Sequence, residues 1–77
     1  MFENKNLSVI AYANGFTLWH YSSQETLEEL YKENYFKKIF DLAATGDIVI
    51  LNGSDGAAIK VIKLKEVREV ILTDLSK

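Results

Sequence analysis

Residues 12–21 read YANGFTLWHY, and their reading decides how the chain begins to fold. Asn14-Gly15 separates two strand-like runs, LSVIAYA (7–13) and FTLWHY (16–21). An Asn-Gly pair between apolar runs is a strong hairpin signal, because a type I′ turn needs positive φ at both central residues. A two-residue loop then sets the register: Ala13 faces Phe16, Ala11 faces Leu18 and Val9 faces His20. On the other side Tyr12 meets Thr17, Ile10 meets Trp19 and Ser8 meets Tyr21. Neither face reads as a solvated one.

Seventy-seven residues make a single domain, 1–77, with one small core. Chains of this size usually gain stability from disulfides, a metal or oligomerisation. The absence of Cys removes disulfides, thiolate metal sites and thiol chemistry together. A net charge of −2 gives no bulk attraction to nucleic acid or an anionic membrane. The N-terminus has no signal-peptide pattern, and no apolar run approaches the roughly 20 residues that span a bilayer. The expected location is therefore the cytoplasm or a virion.

Ser22-x-x-Glu25 fits a capping box at a helix start. The apolar stripe of Leu27, Leu30 and Tyr31 slips near Asn34. This predicts a short first helix and a firmer second one from Tyr35 to Ala44, ended by Gly46. DIVIL (47–51) reads as a buried strand and NGSDG (52–56) as a turn. AAIKVIKL (57–64) and VREVILT (67–73) read as further strands. The fold class is α+β: a small antiparallel sheet or partly open barrel, with an N-terminal β-hairpin, one or two helices, then two or three strands. Ile48 to Leu51, Ile59/Ile62 and Val70 to Leu72 are apolar on both strand faces. One helical layer covers one face only. A second copy of the chain, or closure into a barrel, must cover the other.

His20 is the only histidine. It lacks partners for a transition-metal site, and no G-x-S-x-G pattern supplies a nucleophile. The register places it beside Phe16 and Leu18, which makes it a structural or interface residue. Trp19, Tyr12 and Tyr21 share a face that could stack on bases or a sugar ring. Such platforms come with a basic groove, and Glu66 and Glu69 interrupt Lys60, Lys63, Lys65 and Arg68. NGSDGAAIK lacks the phosphate-loop pattern and leads into a strand.

NLSVIAYANGFTLWHY, Tyr35-Phe36 and GDIVIL together resemble a family of small phage- and prophage-encoded proteins. The pattern is N-L-S…Y-x-N-G-F-T-L-W-H-Y, then Y-F, then G-D-x-I, over residues 6–51. The resemblance implies a phage context and a small virion component, such as a capsid decoration or fibre-type protein. It implies no catalytic residues.

The expectation is a non-enzymatic, homo-oligomeric structural or interaction protein without cofactor or metal. A trimer is the favoured state by analogy with shell-decorating proteins, and a capsid or other virion protein is the further partner. The expected interface residues are Tyr12, Phe16, Leu18, Trp19, His20 and Tyr21. The alternative is a binding module whose aromatic face takes single-stranded nucleic acid or a glycan.

Overall fold

A computed structural model describes residues 1–32, 34–65 and 69–74. Within them lie β1 (Leu7–Ala13), β2 (Phe16–Ser22), β3 (Ile48–Gly53), β4 (Gly56–Lys65) and β5 (Glu69–Asp74). They form one sheet in sequential order, β1 and β5 at its edges. The expected start of the last strand at Val67, with Glu66 and Arg68, lies outside the described residues.

The sheet is mixed, which corrects the antiparallel expectation: β2 and β3 run parallel, and the other neighbours are antiparallel. Residues 23–47 are long enough to cross one face and return in the same direction, as a parallel connection requires. The two edges do not meet, so the sheet is not closed into a barrel.

The hairpin holds as read near its tip, where Ala13 pairs with Phe16, Tyr12 with Thr17 and Ala11 with Leu18. Beyond that a bulge at Ile10 shifts the register, so Val9 faces Trp19, Ser8 faces His20 and Leu7 faces Tyr21. The expected pairs Val9–His20, Ile10–Trp19 and Ser8–Tyr21 are therefore not formed. The turn differs too. Gly15 takes φ 97° while Asn14 keeps a negative φ, a pattern of type II rather than type I′. A turn of that class supplies less of the strands' right-handed twist, and a bulge restores it.

In the crossover the capping box at Ser22 does not form. Ser23 Oγ accepts from the Glu25 amide at 3.0 Å, and the helix α1 (Leu27–Leu30) starts later, with Thr26 as its N-cap. The β3–β4 turn fixes that start. Asp55 Oδ1 accepts from Leu27 N at 2.9 Å, and Ser54 N donates to Glu25 O at 2.8 Å. The backbones approach so closely that a Cβ on Gly53 would sit 3.0 Å from Glu25 O and Leu27 N.

Asn34 takes φ 70° and ends the first segment where the apolar stripe slips. The expected helix from Tyr35 to Ala44 is reduced to a 3-10 turn, Lys37–Ile39. In a 3-10 turn residues three apart eclipse one another, which sends both Phe36 and Ile39 into the core. Gly46, at φ 100°, then reverses the chain into β3.

The core lies between this crossover and one sheet face. Phe2, Trp19, Tyr21, Leu30, Phe36, Ile39, Val49, Leu51, Ile62 and Val70 are its buried members. Among the described residues no helix is long and apolar enough to cross a membrane.

Candidate functional site

Residues paired across a sheet share a face, so the register divides the side chains into two sets. On the helix-covered side run the rows Val9–Trp19–Val49–Lys60–Asp74 and Leu7–Tyr21–Leu51–Ala58. Lys60 is accommodated there by Asp74, 2.6 Å from its ammonium, and by the ring of Tyr31, 4.9 Å away.

On the opposite side run Ala11–Leu18–Ile48–Val61–Thr73 and Ser8–His20–Ile50–Ile59. Ile71, opposite Lys63, extends this apolar set onto β5. None of Leu18, Ile48, Ile50, Ile59, Val61 or Ile71 belongs to the buried core or packs against it. Ile59, near the middle of the sheet, is 49% exposed. This second apolar surface has no described layer over it. The two-sided strands of the sequence are thus covered on one side and open on the other.

The structure divides the expected interface residues between these faces. Phe16, Leu18 and His20 lie on the open side, partly exposed. Tyr12 is 81% exposed near the hairpin tip. Trp19 and Tyr21 instead point into the core, 8% and 0% exposed, and offer no surface to a partner, base or sugar. Tyr21 stacks on Phe2 with centroids 5.2 Å apart, and Tyr35 and Phe36 meet it edge-on.

His20 Nε2 lies 2.8 Å from Asn52 Nδ2. The contact joins β2 to β3 on this face, and the tautomer of the ring sets which atom donates. Two nearby acids are engaged elsewhere. Asp47 lies on the covered side, and Asp55 caps α1 through Leu27 N. Among the described residues no three of His, Asp and Glu are grouped to hold a metal ion.

Two polar constellations escaped the sequence reading. Asp47 is 3% exposed, and its carboxylate accepts from Thr17 N at 2.9 Å, Trp19 Nε1 at 3.0 Å and Ala44 N at 3.0 Å. The one available signal was an acid set directly before the apolar run IVIL. The second constellation surrounds Glu25. Its carboxylate takes the Met1 ammonium at 2.6 Å and the Tyr35 hydroxyl. With its one proton given to Glu25, Tyr35 accepts from Tyr21 at 3.0 Å, and Tyr21 in turn accepts from Glu3 N at 2.9 Å. These groups tie the N-terminal segment to β2 and the crossover.

The Met1 ammonium and then the Tyr35 hydroxyl hold the Glu25 carboxyl below its ordinary value of 4.5. Burial, followed by the bond to Glu25, pushes the Tyr35 phenol up. A depressed carboxyl pKa stabilises the fold above the ordinary value, and that contribution is lost as pH falls through the folded one. The melting temperature is expected to drop below about pH 4.5, and less steeply in Glu25→Gln. Identical acid profiles for the two proteins would remove Glu25 from this role.

No protein-family model, curated protein or solved structure matches this chain.

Proposed function

We propose that this chain is a non-enzymatic, homo-oligomeric structural or interaction protein whose open sheet face is its assembly surface. The observation that supports this reading is the apolar set Leu18, Ile48, Ile50, Ile59, Val61 and Ile71, outside the core and crossing four strands. Monomeric proteins rarely leave a contiguous apolar surface of this kind uncovered. The whole open side of the sheet, its polar positions Ser8, Lys63 and Thr73 included, is five strands about 4.8 Å apart and six residues long, a face of about 480 Å² before corrugation. Two such faces reach the roughly 1,000 Å² that a stable pair needs.

The phage or prophage setting, with a role as capsid decoration or fibre-type component, rests on the resemblance over residues 6–51. Within that pattern Trp19 donates to Asp47, and Tyr21 packs on Tyr35 and Phe36. Trp19, Tyr21, Phe36 and Asp47 of that pattern thus serve the core, while Tyr12 and His20 stay outside it. The nucleic-acid and glycan alternative loses its platform, because Trp19 and Tyr21 are buried.

Light scattering tests the proposal, and the favoured trimer is one of the masses it distinguishes. The wild-type chain is expected above monomer mass. Ile59→Lys, a charge at an exposed site on the open face, is expected to weaken self-association at least about tenfold, the equivalent of 1.4 kcal/mol. A wild-type chain that stays monomeric at high concentration would sink the reading.

A further inference from the structure

β1 is an edge strand with β2 as its sheet neighbour. From Ser8 to Ala13 every residue is exposed, Ile10 at 51%. The whole strand, LSVIAYA, contains no charged residue and no Pro. Edge strands present unpaired main-chain N–H and C=O groups, and proteins usually guard them with Lys, Pro, charge or a bulge. The opposite end of this sheet is guarded: Lys63, Lys65, Glu69 and Asp74 lie on β4 and β5. β1 carries only the bulge at Ile10.

We infer that β1 pairs antiparallel with β1 of a second copy, continuing the sheet across a two-fold axis. Charge selects the occupant. Pairing β1 with a neighbour's β5 would set Glu69 and Asp74 against an uncharged apolar strand. Two β1 strands bring no charge together, and an antiparallel pair of identical strands is self-complementary, as a two-fold interface requires. Val9, Ile10 and Tyr12 lose exposed surface on the same approach. The bulge at Ile10 divides the edge into Leu7–Val9 and Ala11–Ala13, which keeps the ladder short and finite.

This inference deepens the homo-oligomer reading, and it adds a contact separate from the open face. Two different two-fold contacts on one chain generate a closed assembly with an even number of copies or an open fibre, so a simple trimer would count against the edge pairing.

The test compares wild type, Ile10→Lys and Ile59→Lys by sedimentation and thermal melting. Ile10 is exposed and lies in the bulge, so Ile10→Lys is expected to leave the monomer folded, with a cooperative melt, while weakening self-association at least about tenfold. The chain has no Cys, so single Val9→Cys, Ile10→Cys, Ala11→Cys and Tyr12→Cys variants give a second readout. Oxidation is expected to cross-link one or two neighbouring positions, those nearest the two-fold axis. Wild-type association in Ile10→Lys, or equal cross-linking at all four positions or at none, would overturn the edge pairing. If only Ile59→Lys weakened association, the edge would fail and the open face stand. If only Ile10→Lys did so, the open face would fail and the edge stand. A monomeric wild type overturns both.

Discussion

Asp47→Ala is expected to cost about 3–5 kcal/mol, a large fraction of the stability of a chain this small. The carboxylate receives Thr17 N, Trp19 Nε1 and Ala44 N in a site where Asp47 is 3% exposed. Removing it strands one buried donor, Trp19 Nε1, and two part-buried ones, Thr17 N and Ala44 N, and a buried donor without a partner costs about 1–3 kcal/mol. Asp47 also joins elements at the strand level. Its main chain pairs with Ala44 and Ile62, while its side chain reaches β2. It therefore pins the start of β3 beside β2, where the sheet has its one parallel pairing. A chain of 77 residues has a total stability of about 4–12 kcal/mol, so the loss is a large fraction of the whole. Trp19→Phe keeps an aromatic ring but deletes the donor and the smaller ring of the indole, and should cost about 2–3 kcal/mol from the lost bond and the cavity together. Urea unfolding measures both. An Asp47→Ala protein within 1 kcal/mol of wild type, on the order of a single hydrogen bond, would show that the three contacts do not stabilise the fold.

Tyr21→Ala is the second large effect, expected at about 3–5 kcal/mol, the range for truncating a buried aromatic residue. Tyr21 is fully buried, and its ring is contacted by Phe2, Tyr35 and Phe36 at centroid distances of 5.2, 6.0 and 5.1 Å. Truncation empties the centre of that cluster, and neighbours held on two separate segments, the N-terminus and the crossover, cannot all collapse into the space. Tyr21→Phe separates packing from hydrogen bonding. It keeps the ring and removes the hydroxyl between Glu3 N and Tyr35, for an expected cost of about 1 kcal/mol. Comparable losses in the two variants would mean that the hydroxyl, rather than the ring, holds the cluster.

These two residues show how unevenly the molecule could be read beforehand. The hairpin, the break at Asn34, the NGSDG turn and the strands around it were legible, because turn residues and apolar runs act locally. The second helix was over-read. Its apolar spacing fits both a helix and a chain that drops Phe36 and Ile39 onto a sheet, and packing chose the second. Phe2 was missed, since a lone aromatic near a terminus has no periodic partners. It became a core residue only when Tyr21, Tyr35 and Phe36 gathered around it.

The candidate site was legible in part. Strands apolar on both faces announced an uncovered side, but the sequence could not assign side chains to it. Assignment needed the register, and the bulge at Ile10 broke the simple alternation on which the sequence register depended. The aromatic residues that looked like a binding platform went to the core, and aliphatic residues of β2, β3, β4 and β5 became the open face.

By itself, then, the sequence determined a cysteine-free chain of strands and short helical segments, apolar on more strand faces than one helical layer could cover. Those features follow from local turn chemistry and side-chain polarity. The tertiary structure alone decided that β2 and β3 run parallel, that Asp47 is the buried acceptor joining them, and that β1 stands exposed and uncharged at an edge. Each of these depends on which distant segments become neighbours, and pairing over such separations is set by the packing of the whole chain.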